Sequence, residues 1–363
     1  MEIYLVGGAV RDKLLGLPVK ERDWVVVGAT ADEMLKLGYR QVGKDFPVFL
    51  HPETKEEYAL ARVERKVSRG YTGFSFDASP AVTLEQDLLR RDLTMNAIAQ
   101  RTDDSLVDPY HGTTDLQKKI LRHVSAAFIE DPVRILRVGR FAARFASKGF
   151  TVAPETVKLM QAMVKSGEVD ALVAERVWKE LERALQEETP AAFFHVLADC
   201  SAVTVLFPQL KENNIHALSQ AATLSSDAEV RFAALLYDLS PSDIVTLCDR
   251  YRVPSTYREL ALLVATKFQH YIHAATLTAE QLLALLQTTD AFRREARFEK
   301  FLLACESIQN KSADSERLRQ VYQSAKQVDA QTIMASGAAG IEIAKQISEA
   351  RLGLITAFLN KIS

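Results

Sequence analysis

The sequence predicts an α+β protein, with a mixed-sheet head over residues 1–125, an all-helical neck over 126–200 and a helical body and tail over 201–363. Two observations carry that reading. Through the head, short β-branched or aromatic runs alternate with helical stretches. Beyond Asp131 the pattern is helical almost throughout, with breaks near Gly149, Pro190, Pro208, Pro241 and Pro254. Strands are expected at Ile3–Val6, Trp24–Val27, Val48–Leu50, Glu57–Ala61 and Leu106–Val107, and head helices at Ala31–Leu37, Thr83–Ala99 and Thr114–Lys119.

At 363 residues the chain can bury a substantial core in two or three domains. A content of 48% hydrophobic and 25% charged residues is that of an ordinary globular protein. The three cysteines, Cys200, Cys248 and Cys305, lie far apart with no C-x-x-C pair, so reduced thiols are expected rather than disulfides or metal ligands. No apolar run nears the roughly 18 residues of a membrane span, and Met1 leads straight into a strand, so a cytoplasmic location is the expectation. The net charge of -2 leaves nucleic acid open as a partner, because arginines can cluster on one face.

The most informative stretch runs from Leu5-Val6-Gly7-Gly8-Ala9-Val10-Arg11-Asp12 to Glu21-Arg22-Asp23. An apolar run enters a Gly-Gly turn, and a helical segment leaves it. Two glycines without Cβ atoms let backbone N–H groups approach an anion, and the helix start adds positive potential. Arg11 is placed to add a charge-assisted contact. Glu21 and Asp23 sit two apart at the start of a second β-branched run, and because strand residues i and i+2 share a face they are expected to project side by side. Paired carboxylates beside a glycine turn suit the holding of a divalent metal against a triphosphate.

This combination resembles the nucleotidyltransferase superfamily related to DNA polymerase β, and LVGGAVRD resembles the signature of class II tRNA nucleotidyltransferases and bacterial poly(A) polymerases. The resemblance is dense over residues 1–200. It implies a polymerase β-like head, Mg²⁺ held by Glu21 and Asp23 as catalytic metal ligands, and a triphosphate held by Gly8, Arg11 and Arg91. The family pattern reads Asp-x-Asp where this chain has Glu21-Arg22-Asp23. Glutamate keeps the charge and the oxygen donors but adds a methylene, which would seat the metal slightly differently.

Further motifs extend the likeness. Arg90-Arg91-Asp92-Leu93-Thr94-Met95-Asn96 is expected near the end of the Thr83–Ala99 helix, where Asp92 and Asn96 would share a face. It resembles the family's R-R-D-x-x-x-N motif, which implies that Arg91 meets triphosphate while Asp92 and Asn96 meet ribose hydroxyls. In Glu130-Asp131-Pro132-Val133-Arg134, Asp131 fits an N-cap and Pro132 a first helical turn. Arg134, Arg137 and Arg140 then fall within an arc of about 120°. Such closely set like charges are unfavourable without an anion. E-D-x-x-R matches the family's base-selecting motif. The Asp131 carboxylate would accept from the amino group shared by cytosine and adenine, and Arg134 would donate to the adjacent ring nitrogen. Uracil and guanine reverse both roles, at roughly 1–3 kcal/mol per unpaired group. Arg137 and Arg140 would position phosphate or base.

Arg62 to Phe74 reads as a basic, then Gly- and aromatic-rich loop. In the family, a loop at this place accompanies the change from C to A addition, and its intactness here favours CCA or A addition. Arg176–Arg183 and Phe292–Phe301 read as charged helices with solvated faces. Relatives with a phosphohydrolase domain carry a His-Asp pair; Tyr237-Asp238 stands in its place, so phosphohydrolase activity is not expected. The resemblance thus implies a template-independent enzyme that adds CMP and AMP from CTP and ATP to the tRNA 3′ end. Alternatives are an A-adding specialist, a poly(A) polymerase, or an inactive RNA-binding relative.

Overall fold

A computed structural model describes residues 1–42, 48–66, 74–328 and 341–362. β1 (Glu2–Val6) leads through Gly7 into α1 (Gly8–Leu14), and β2 (Asp23–Val27) returns antiparallel to β1. α2 (Ala31–Lys36) begins at a Thr30–Glu33 capping box, followed by β3 (Arg40–Val42), β4 (Val48–Leu50) and β5 (Glu57–Leu60). β6 (Val63–Lys66) and β7 (Phe74–Asp77) form a separate antiparallel pair. After α3 (Leu84–Leu89) come β8 (Ala99–Gln100), β9 (Leu106–Val107) and α4 (Gly112–Lys118). Among the described residues, seven strands make one mixed sheet in the order β3-β4-β5-β2-β1-β8-β9, in which β2 and β5 run parallel.

Strand alternation divides the head core between two clusters. Tyr4, Val6 and Val25 join Leu84 and Leu88 in one; Val26 joins Met34, Phe49, Tyr58 and Leu60 in the other. Val6 pairs with Asp23 in the β1–β2 register, so the first residue of β2 stands beside the residue that opens the glycine turn.

Three expectations are corrected. The Thr83–Ala99 helix ends at Leu89, and Leu93 is extended, followed by a single 3₁₀ turn at Thr94–Asn96. The Asp92 carboxylate accepts from Leu93 N at 2.8 Å, Thr94 N donates to Arg122 O, and Leu93 bridges to His123. A short acidic side chain bonded to local backbone, together with a distant partner segment, outcompetes helix continuation. Second, β2 starts at Asp23, leaving Glu21 outside the strand, so strand alternation does not place the two carboxylates on one face. Third, the Arg62–Phe74 loop is a strand pair at its ends; residues 67–73 lie outside those described.

The neck begins where β10 (Ile120–Leu121) pairs parallel with β11 (Thr151–Val152), on either side of α5 (Val133–Phe145). α5 packs on α7 (Ala174–Gln186) and α8 (Ala191–Asp199), with α6 (Pro154–Lys165) touching α8. α9 (Ala202–Leu206) closes this part, and the chain divides into compact units Met1–Pro208 and Gln209–Ser363. The expected head and neck segments fall inside the first unit.

The second unit comprises α10 (Glu212–Leu224), α11 (Ala228–Leu235), α12 (Pro241–Tyr251), α13 (Ser255–Ile272), α14 (Ala279–Thr288), α15 (Glu295–Gln309), α16 (Ala313–Lys326) and α17 (Ile341–Ile362). Its buried centre is aromatic, with Phe232 against Tyr257, Tyr271 against Phe301 and Phe298 against Tyr322. Among the described residues no helix is long and apolar enough to cross a membrane.

Candidate nucleotide site

Gly7 holds φ +69° and ψ −129°, a conformation open essentially to glycine alone. A Cβ there would lie 3.0 Å from Arg91 Nη1, and one at Gly8 would lie 3.5 Å from Arg11 Nη2. The glycine turn is therefore flanked by two guanidinium groups. Arg91 donates to Asn96 O and Asp87 Oδ2, each at 3.3 Å, while its buried Nε has no partner among the described residues. Asp87 is tied to Arg90 as well, and its carboxyl is held below the usual range: burial pushes it up, but Arg90 and Arg91 outweigh that. Gly112 supports the turn that carries Asn96, since a Cβ would meet Thr94 O at 2.2 Å.

Asp23, across the strand pair from Val6, is exposed, but the protein around it raises its carboxyl above the usual range. Desolvation is the largest cause; Arg91 pulls the other way and Glu21 adds to the rise. Asp23 thus feels both Arg91 and Glu21, although β2 does not align the two carboxylates. Two exposed carboxylates that repel each other are oxygen donors of the type a small divalent cation takes. Among the described residues, no group of three or more His, Cys, Asp or Glu side chains is placed to hold a metal.

Arg11 is buried, at 3% exposure. Its Nε donates to Asp12 Oδ1 at 2.9 Å and its Nη1 to Asn96 Oδ1 at 2.7 Å, and its guanidinium lies over the Phe141 and Phe145 rings. Asn96 in turn donates to Asp92 Oδ1 at 2.9 Å, and Arg137 Nε donates to Asp92 Oδ2 at 2.7 Å. The shared face expected of Asp92 and Asn96 does arise, through a bend and a 3₁₀ turn instead of a helix. Burial alone would raise the Asp92 carboxyl; Arg137, the Asn96 amide and Leu93 N–H together hold it well below the usual range.

The arginine face of α5 is compensated internally, contrary to the expectation of an unpaired cluster. Arg140 is buried and donates to Glu180 Oε2 at 2.6 Å. Arg137 approaches Glu180 Oε1 at 3.6 Å, and Arg144 donates to Asp12 Oδ2 at 3.0 Å. The Phe141 ring underlies Arg11, Arg137 and Arg140. Of the α5 arginines expected to meet ligand, Arg137 is the more accessible, with 34% of its side chain exposed against 9% for Arg140.

α5 starts at Val133 with Pro132 as its N-cap, so Asp131 lies one residue before the cap position expected for it, although its Oδ1 still accepts from Val133 N at 3.1 Å. Arg134 donates to Ala127 O and Arg90 O, both at 2.6 Å. The two expected base-reading side chains are thus anchored separately rather than to each other. Sequence reasoning missed what anchors Asp131. Arg176 donates to both its oxygens, from Nη1 at 3.1 Å and from Nη2 at 2.7 Å. It also missed Glu180, one turn further along α7. The i, i+4 spacing of Arg176 and Glu180 was visible, but what the pair faces depends on the α5–α7 packing.

In the second unit, Asp238 accepts from the Asn213 and Asn214 amides, and Tyr237 sits edge-on to Phe268. The three cysteines are free and buried.

Residues 3–122 match the Poly A polymerase head domain, and residues 149–213 match the segment described as "Probable RNA and SrmB- binding site of polymerase A". A multifunctional CCA protein of Thioalkalivibrio sulfidiphilus (strain HL-EbGR7) is 57% identical over 345 residues, covering 85% of this chain and 84% of that protein. A CCA-adding enzyme of Coxiella burnetii (strain RSA 493 / Nine Mile phase I) is 48% identical over 363 residues, covering 99% and 96%. Among solved structures, a CCA-adding enzyme complexed with CTP superposes with TM-score 0.73 at 21% identity, covering 98% of this chain and 87% of that one. The Thermotoga maritima CCA-adding enzyme complexed with tRNA gives 0.68 at 20% identity, covering 100% and 92%. Those two likenesses speak to the fold; the identities to the first two proteins, over most of their length, carry the relationship. At 57% and 48% identity over most of both chains, these relatives show that the chain belongs to the family of CCA-adding tRNA nucleotidyltransferases.

Proposed function

We propose that the Gly7–Gly8 turn is the triphosphate seat of an enzyme that adds CMP and AMP, from CTP and ATP, to the tRNA 3′ end and releases pyrophosphate. The observation that carries this is the Val6–Asp23 pairing, which sets a carboxylate beside the turn that Arg91 and Arg11 flank. Backbone N–H groups of the turn, Arg11 and Arg91 take the triphosphate charge. Asp92 and Asn96 meet the ribose while fixing Arg137 and Arg11. Arg137 positions phosphate or base at the surface, and Arg140 does so from beneath through Glu180 and Phe141.

Asp131 and Arg134 read the base edge, accepting from the amino group and donating to the ring nitrogen of C or A. Selection then comes from protein side chains without a template. Glu21 and Asp23 would hold a divalent cation, which we assign as Mg²⁺; bound there, it would supply the Lewis acidity that favours a 3′-alkoxide and the positive charge that offsets a departing pyrophosphate. The remaining chemistry is alignment of hydroxyl and α-phosphate, with charge neutralisation by arginines. The likeness to proteins named for CCA addition supports reading the chain as a cytoplasmic, Mg²⁺-using tRNA enzyme.

Incubation of the protein with tRNA lacking CCA, labelled CTP or ATP, and Mg²⁺ tests the proposal. Two C additions followed by one A support it. Addition of A alone, onto tRNA already ending in CC, selects the A-adding reading, and no incorporation refutes both.

A further inference from the structure

The contact between α7 and the base-reading acid has a consequence for nucleotide choice. Asp131 Oδ1 is occupied twice, by Val133 N at 3.1 Å and Arg176 Nη1 at 3.1 Å, while Oδ2 receives Arg176 Nη2 at 2.7 Å. A carboxylate gripped at both oxygens by a planar fork cannot rotate freely about its last bond. Oδ2, with a single donor in these contacts, is the oxygen left to accept from a base. Arg134 is pinned on its own side by the carbonyls of Ala127 and Arg90. The acceptor and the donor that read the base are therefore each set by a different neighbour, and Arg176 sets the acceptor. One turn along α7, Glu180 holds Arg140 and Arg137, so a single helix face fixes both signs of charge on α5 and at its start.

We propose that Arg176 is a positioning residue for nucleotide selectivity. It acts through Asp131, orienting the carboxylate so that a base bearing an amino group fits and one bearing a carbonyl does not. This inference rests on the reading of Asp131 as the base acceptor. A merely structural Arg176 would lower the use of every nucleotide alike. A positioning Arg176 alters the ratio between them.

The test is kcat/KM for CTP, ATP, UTP and GTP on tRNA lacking CCA, measured for the wild type, Arg176→Ala, Arg176→Lys and Asp131→Ala. For Arg176→Ala the preference for CTP over UTP is expected to fall about tenfold, mainly through a raised KM for CTP. Arg176→Lys keeps the charge without the fork and should recover only part of the preference. If Arg176→Ala does not fold, Arg176→Lys against wild type carries the comparison. Ratios within twofold of wild type in the folded Arg176 variants, with Asp131→Ala unselective, overturn the role of Arg176 alone. An Asp131→Ala protein that stays selective overturns the base-reading assignment itself, and the inference with it.

Discussion

Arg137 Nε donates to Asp92 Oδ2 at 2.7 Å across 45 residues of sequence, joining the last motif of the head to the helix of the neck. Asp92 is buried and also holds Asn96, which in turn receives Arg11. One ion pair thus ties the glycine turn, the R-R-D segment and α5 into a single network. Arg137→Ala would leave the Asp92 carboxylate buried without its cation, at a cost of about 3–5 kcal/mol. Denaturant unfolding of the two proteins should show that difference, together with a larger loss of nucleotide affinity than Lys148→Ala causes at an exposed position.

The same carboxylate makes stability depend on pH in a defined direction. The folded state holds the Asp92 carboxyl below its unfolded value of about 3.9. Its contribution is therefore complete above that pH and is lost only as pH falls toward the lower folded value. The stability gap between wild type and Asp92→Asn should be constant from pH 7 to about 5 and narrow below about 4. A gap that widened on acidification would contradict the assignment.

Gly7→Ala tests the turn. The backbone there has φ +69°, and the new methyl would press on Arg91 Nη1 at 3.0 Å. Strain of about 1–3 kcal/mol is expected, and because Arg91 must move, kcat/KM for CTP and ATP should fall at least about tenfold. Thermal unfolding with parallel kinetics separates the two effects; a stability loss with unchanged kinetics would detach Arg91 from nucleotide binding.

Asp131→Ala addresses base choice. Loss of the acceptor should reduce use of CTP and ATP and relax exclusion of UTP and GTP, by a factor corresponding to about 1–3 kcal/mol for each unpaired group. Competition between labelled CTP and UTP in one reaction reads the ratio directly.

Much of the site was legible because its motifs are local. The glycine turn, β1, β2 and the start of α5 follow from neighbouring residues, and each formed within a residue or two of expectation. The helix through Asp92 failed because its end is set by Arg122 and His123, nearly thirty residues away, which take Thr94 and Leu93 into a strand-like pairing. The α5 arginines looked unpaired because Glu180 and Asp12 reach them only after folding. Arg176 looked like a solvated helix residue for the same reason.

Asp23 beside the glycine turn is the centre of the account. The most direct test follows incorporation of labelled CMP and AMP into tRNA lacking CCA, under single turnover with Mg²⁺, by wild type and by Asp23→Ala. Wild type should add two C and then one A, while folded Asp23→Ala adds neither. Equal incorporation by the two proteins, or none by wild type, would contradict the assignment of this site.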